Sequence, residues 1–445
     1  MSRFILADQS LVNTGGHHYE FAHNVLSAAR ERGDTPVLAS HRDSPLTHCG
    51  PWPVRPTYRD GLWTHQAGNR GLKGLSYAVS ALRRGGWFAE PLAELAARGR
   101  DVWRASRFAG DTRRLLQALA VTAGDLVFIP NATLTEVFAI TQLLHDFPAA
   151  RRASWHLEFH IHIFPRGARH SAAKFSAARE LQAALHELRN AAESARLCLY
   201  TDTDELTEQY RTLKAGSFAT LPIPVDPIYR PAANDASRNP HTPLRFAYVG
   251  DARVEKGYPQ LPEMIRSVWS ELVASGRVQF VIQSNCRNAR SERASLAARE
   301  ELAALGAPQV QLLTEPLSTA DYRSLVLDSD VLLLPYDPES YEARSSGILS
   351  EALAAGKPVV VPQGTWMARQ VPDNVGVVYP AGPAGMAEAV RRMAADFDDF
   401  RFAARVFSSE WSQRHDPRRL VACLRQSAPL SAPHFTLRQA AVSDT

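Results

Sequence analysis

Short, wholly apolar runs alternate along most of this chain with segments whose apolar positions recur every three or four residues. Runs such as Val331 to Leu334 and Val359 to Val361 have the pattern of strands buried on both faces of a parallel sheet. Between those two, Ile348, Leu349, Ala352 and Leu353 fall at helical spacing, and Gly356 with Pro358 closes the segment in the expected C-terminal order. The same alternation predicts a strand at Phe4 to Ala7 followed by a helix from about Tyr19 to Arg32, and a strand at Leu126 to Ile129 followed by a helix from Leu134 to His145. Further strands are predicted near Leu244 to Val249, Val278 to Gln283, Val310 to Leu313 and Val377 to Tyr379. Helices at about 260–272, 290–305, 318–328 and 383–396 lie between them. The fold class is α/β.

The run from Leu221 to Pro227 is proline-rich and passes into a polar stretch with Asn234, Asp235, Ser237, Asn239 and Pro240. It divides the chain into a first domain (1–224), a linker (225–243), a second domain (244–408) and a segment (409–445) that returns toward the first. Two α/β halves on a hinge suit a deep cleft whose closure excludes water. Ser427 onward has the composition of a frayed tail.

Composition changes this picture only at the margins. The 445 residues, 45% of them hydrophobic, can bury two cores. A net charge of +4 is too small to imply nucleic-acid binding. No apolar run approaches the roughly 18 to 20 residues that span a bilayer, and Phe4 to Ala7 is too short for a signal peptide. Cys49, Cys198, Cys286 and Cys423 are widely spaced, so a reducing cytoplasm is the expected compartment.

Between about 41 and 120 the regular pattern weakens, and a basic helical insertion is predicted. From Arg70 to Arg114 ten basic residues face four acidic ones, and Trp87 and Trp103 lie among them. Such a segment either rests on an anionic membrane surface, making the protein peripheral to the inner membrane face, or is a solvated insertion with inward tryptophans.

The candidate chemistry is concentrated in two loops of the second half. In the first, Ser345, Ser346 and Gly347 let backbone N–H groups approach an anion at the start of a helix, Arg344 adds a planar charge, and Glu351 lies one turn in. A carboxylate there can accept from ribose hydroxyls. In the second, Gly250, Arg253 and Lys256 follow a strand, and two fixed cations could neutralise a diphosphate.

The run from Glu351 to Val359, EALAAGKPV, together with the loop before it, resembles the donor-binding signature of retaining glycosyltransferases of the GT-B fold, the family 4 type. The 248–257 loop resembles that family's glycine, arginine, lysine-glycine loop. GGHHYEFAHNVLSAARERGD, with Gly15 and Gly16, resembles its N-terminal glycine loop and helix. In this sequence Asp251 stands where the family usually has arginine. Glu342 is one place away from the family's first glutamate, whose strict match is Ala343.

The resemblance implies two Rossmann-like domains facing each other across a cleft, and transfer of a sugar with retention from a nucleotide-diphosphate donor to a hydroxyl acceptor. The acceptor would be a glycan or lipid-linked glycan of polysaccharide biosynthesis. Arg253, Lys256 and Glu351 would serve the donor, with Gly250, Glu342, Arg344, Ser346, Gly347 and Ile348 lining its site. A histidine of the first domain would contact the sugar, His156 matching best and His160 second. No metal or other cofactor is expected.

Two patterns permit other chemistry. From Ala153 to Ile163 the residues alternate strictly, which places His156, Glu158, His160 and His162 on one face of a strand. Imidazoles so placed could hold zinc in a hydrolase. Asp202 and Asp204 have a metal-binding D-x-D spacing, but Asp202 or Thr203 followed by Glu205 is an ordinary helix start. The altered early glutamate also permits a non-catalytic subunit that only binds a nucleotide sugar.

Overall fold

A computed structural model describes residues 2–12, 17–61, 90–163, 172–231, 242–286 and 292–426. Gly15, Gly16, residues 232–241 of the linker and the stretch from Arg70 to Trp87 lie outside them.

The first half is built on eight strands: β1 (Arg3–Ala7), β2 (Thr35–His41), β3 (His48–Cys49), β4 (Trp52–Tyr58), β5 (Leu126–Ile129), β6 (Ser154–Phe159), β7 (Arg196–Thr201) and β8 (Phe218–Thr220). They lie in the order β3-β4-β2-β1-β5-β6-β7-β8, and all pair in parallel except β3 with β4. The second half has six strands: β9 (Leu244–Tyr248), β10 (Val278–Gln283), β11 (Val310–Leu313), β12 (Val331–Leu333), β13 (Val359–Pro362) and β14 (Gly376–Tyr379). Their order, β11-β10-β9-β12-β13-β14, is parallel throughout. Val331, Leu332 and Leu333 are at most 1% exposed, each burial stabilising by about 1.5 to 3 kcal/mol.

In both sheets the first strand lies inside: β1 between β2 and β5, β9 between β10 and β12. Strand order reverses there, and the loops leaving the carboxyl ends diverge to open a crevice.

The insertion expected from about 41 to 120 begins later. Residues 48–58 form β3 and β4 of the first sheet, and the helix that follows the undescribed stretch runs from Glu90 to Ala118. Pro53 and Pro56 obscured β4, because proline removes ladder donors and is confined to the margins of sheets. The described arginines of the helix are engaged within the molecule. Arg107 pairs with Asp60 at 2.8 Å, Arg114 with Asp111, and Arg104 donates to the Gly61 carbonyl at 3.1 Å. Arg113 lies over the Phe147 ring. Among the described residues no helix is long and apolar enough to cross a membrane.

The chain crosses back at 415–417. Leu420, Val421 and Leu424, on helix Pro417–Gln426, join the first-half core beside Val25 and Leu26, and Arg425 reaches Asp34 at 2.5 Å. Here two connections run side by side. Ile223 N–H donates to His415 Nδ1 at 3.1 Å, Val225 N–H to the His415 carbonyl at 3.0 Å, and Arg230 meets Asp416 at 3.0 Å.

His415 must stay neutral to accept that bond, and burial pushes it down to about 3. A histidine depressed from its unfolded value near 6.5 contributes stability above pH 6.5 that is lost as pH falls, by about 1.4 kcal/mol per pH unit. The destabilisation caused by His415→Gln should therefore shrink by about 2 kcal/mol between pH 7.5 and pH 5, read from urea unfolding. Equal destabilisation at both pH values would place the histidine's proton elsewhere.

Candidate active site

The switch point of the second sheet is bordered by two segments. One leaves β9 and turns through Gly250 to Gly257. The other leaves β12 and ends at Ser346, the N-cap of helix Gly347–Ala354, whose hydroxyl accepts from Leu349 N–H at 3.2 Å. They meet at Gly250, whose φ is +105°. A Cβ there would lie 2.7 Å from Lys256 Nζ and 3.0 Å from the Ile348 side chain. The lysine head and the first turn of the helix thus share one small space, left open by the missing side chain.

A short chain of polar contacts braces the turn. Gly250 N–H donates to Gln283 Oε1 at 2.6 Å, Gln283 donates to Asn285 at 2.9 Å, and Asn285 donates to Asp251 at 2.7 Å. Asn285 is 3% exposed and committed to this brace. Asp251 has a structural duty here.

Positive charge gathers around the shared space. Arg253 pairs with Glu255 at 3.0 Å, and Arg344 stands 4.0 Å from the same carboxylate and over the Tyr341 ring. Burial, with the Arg253 guanidinium nearby, pushes Lys256 down to about 8. Gly347 is exposed, and nothing lies within 4 Å of where its Cβ would be, so the helix N-terminus is open to an anion. Glu351 accepts from the Tyr322 hydroxyl at 2.5 Å, and burial raises its carboxyl to about 8.

The first half contributes from its own carboxyl edge. His156 is not at that edge. It lies inside β6, wholly buried, its Nδ1 bonded to the Tyr200 hydroxyl at 2.9 Å, and burial pushes it down to about 3. The expected long strand stops at Phe159, and both of its faces are covered: Trp155, Leu157 and Phe159 lie in the core on one side, and His156 and Glu158 are buried on the other. His160, the second match, is just past the strand end, with a third of its side chain exposed. Its Nδ1 meets Asp202 at 2.8 Å and its Nε2 the Pro130 carbonyl at 2.7 Å. Burial opposes its charge, but Asp202 and Glu158 outweigh that and hold it up to about 10.

These histidines serve separate partners, with His162 Nε2 on the Ser340 carbonyl at 3.1 Å. Among the described residues no group of three or more histidines, cysteines or carboxylates is arranged to hold a metal. Thr203 caps helix Asp204–Arg211, accepting from Leu206 N–H at 3.1 Å, as the sequence pattern predicted for that stretch.

Several participants had no clear signal in the sequence. Tyr322 is an ordinary position of helix Thr319–Asp328. Arg323 beside it reaches Glu20, in the opposite half, at 3.0 Å. Glu342 is partly buried, its carbonyl accepting from Arg369, and Ala343, where the sequence resemblance would place a glutamate, is 1% exposed.

No family model matches the sequence, and no curated protein matches it. Solved structures do match the fold. Sucrose-phosphate synthase from Thermosynechococcus elongatus superposes with a TM-score of 0.66 at 13% identity, over 96% of this chain and 98% of that one. A UDP-forming α,α-trehalose-phosphate synthase from Burkholderia xenovorans gives 0.61 at 14% identity, over 97% and 100%. The Anabaena protein HepE in complex with UDP-glucose gives 0.60 at 15% identity, over 95% and 98%. With two parallel-sheet domains opposed at their carboxyl edges, the chain has the GT-B fold.

Proposed function

We propose that this chain is a glycosyltransferase that moves a sugar from a nucleoside-diphosphate donor to a hydroxyl acceptor, with retention and without a metal. The observation that carries the reading is the meeting of Lys256 with the N-terminal turn of helix Gly347–Ala354 at Gly250. A diphosphate placed there would find Arg253, Lys256 and Arg344, and the open backbone at Ser346 and Gly347. Glu351 would accept from the ribose once its Tyr322 partner yields or shares.

In the transfer, the bond from the anomeric carbon to the β-phosphate oxygen breaks and a bond to the acceptor oxygen forms on the same face. The acceptor's proton passes to the departing phosphate. The protein's part is then to position the two substrates and stabilise charge growing on the leaving diphosphate. His160, at the edge facing the second half, takes the place proposed from the sequence for His156 in contacting the sugar. The acceptor reading remains a glycan or lipid-linked glycan held by the first half.

Fold neighbours crystallised with UDP and UDP-glucose make those the first probes. At 100 times its dissociation constant, UDP should stabilise the protein by about 2.7 kcal/mol, visible as a rise in melting temperature that Lys256→Ala abolishes. No shift with any nucleoside diphosphate would end the reading.

The buried Ala343 favours one second reading, a nucleotide-sugar-binding subunit without turnover. Calorimetric binding of UDP-glucose with no release of UDP in the presence of acceptors would select it.

A further inference from the structure

The D-x-D-like stretch that follows β7 finds its use at the seam between the halves. Ser345 Oγ donates to the Asp202 carboxylate, and Thr203 Oγ1 donates to the Ala343 carbonyl at 2.7 Å. His162 adds its contact to the Ser340 carbonyl. All three land within residues 340–345, the six positions before the N-cap Ser346, and Arg344 lies among them. The gripping groups are themselves immobilised. Asp202 and Thr203 are 7% and 2% exposed, and Asp202 is held from behind by His160. The Thr203 hydroxyl donates across the seam while accepting from Leu206 N–H, which fixes its rotor in both roles.

We infer that Asp202 and Thr203 are positioning residues for the donor pocket. They hold the 340–345 segment, and through it Arg344 and the N-terminus of helix Gly347–Ala354, in the arrangement that receives the diphosphate. The pocket is then complete only while the first half is docked against it. The segment is also held within its own half, by Ser340 donating to Asp337 and by Arg369 donating to the Glu342 carbonyl, so losing the seam bonds would loosen it without unfolding it and leave order that binding must restore. This inference rests on the nucleotide-pocket reading above, so its test has one arm that needs no nucleotide.

The variants are Thr203→Val, which keeps the shape and removes the hydroxyl, Thr203→Ser, which keeps the hydroxyl, and Ser345→Ala, which cuts the neighbouring bond without touching a helix cap. In the unliganded full-length protein, amide hydrogen exchange across 340–346 should rise in Thr203→Val and Ser345→Ala and stay at the wild-type rate in Thr203→Ser. In calorimetry UDP should bind Thr203→Val and Ser345→Ala about five- to tenfold more weakly, the scale of one hydrogen bond, and Thr203→Ser as wild type. Donor KM should rise by the same factor with kcat little changed. Unaltered exchange in both Thr203→Val and Ser345→Ala overturns the clamp. Raised exchange with unchanged UDP affinity overturns its role in positioning. Wild-type protein that binds no UDP overturns the pocket reading instead.

Discussion

Replacing Lys256 with alanine should lower turnover by about 10²- to 10³-fold while leaving the melting temperature unchanged or slightly raised. The rate effect follows from where the ammonium sits, at the space shared by the Gly250 turn and the first turn of helix Gly347–Ala354. In the proposed transfer a cation there would meet the diphosphate most strongly once the glycosidic bond has broken and the leaving group carries its full charge. Its loss should therefore appear mainly in kcat.

The stability effect has the opposite sign because the empty pocket is electrostatically uncomfortable. Lys256 is drawn down to about 8 by burial and by Arg253, with Arg344 adding like charge. Removing a partly buried cation from such company costs the fold little. Lys256→Arg, which keeps the charge but changes its shape, should recover part of the rate. A Lys256→Ala protein that turns over at the wild-type rate removes the lysine from the mechanism, and one that unfolds marks it as a structural residue.

The parts of this site that were legible in the sequence share one property: their signal is local. Glycine, small residues and a helix start announce a tight loop at a helix N-terminus through backbone geometry alone. Gly250, Ser346, Gly347 and the helix behind them are formed where the pattern placed them. The parallel strands were legible for the same reason, since burial on both faces leaves an uninterrupted apolar run, as in Val359, Val360 and Val361.

What failed to show depended on which strands become neighbours. The alternation that made His156 look like a residue facing the cleft is an ordinary property of any strand. β6 lies inside its sheet between β5 and β7, where cover over both faces buries His156, and the end of the strand at Phe159 leaves His160 as the histidine at the edge. Tyr322 on Glu351 and Asp202 on Ser345 join residues 29 and 143 positions apart, a distance at which spacing carries no information. Trp52–Tyr58 was missed for a different reason. Two prolines hid a marginal strand of the first sheet whose buried positions, Val54 and Tyr58, are too few to set a period.

Gly257→Ala should be the most damaging small substitution in the site, costing about 2 to 5 kcal/mol in urea unfolding and abolishing UDP binding. Two penalties add at this position. Gly257 has φ of +71°, a conformation that costs a residue with a Cβ about 1 to 2 kcal/mol. The added Cβ would also lie 1.7 Å from the Pro335 carbonyl oxygen and 2.6 Å from its carbon, so backbone must move, at the roughly 1 to 3 kcal/mol of an overpacked core.

Pro335 follows β12 and Gly257 closes the turn after β9, so this close approach is what sets the distance between the two limbs of the switch point. Pushing them apart carries Lys256 away from the helix N-terminus. Gly276→Ala separates the two penalties. Its φ is +74° with nothing within 4 Å of the added carbon, so it should cost only about 1 to 2 kcal/mol and leave UDP binding intact. If the two variants prove equally stable and bind UDP equally well, the turn is free to swing clear of Pro335, and Lys256 is not held where the proposed chemistry needs it.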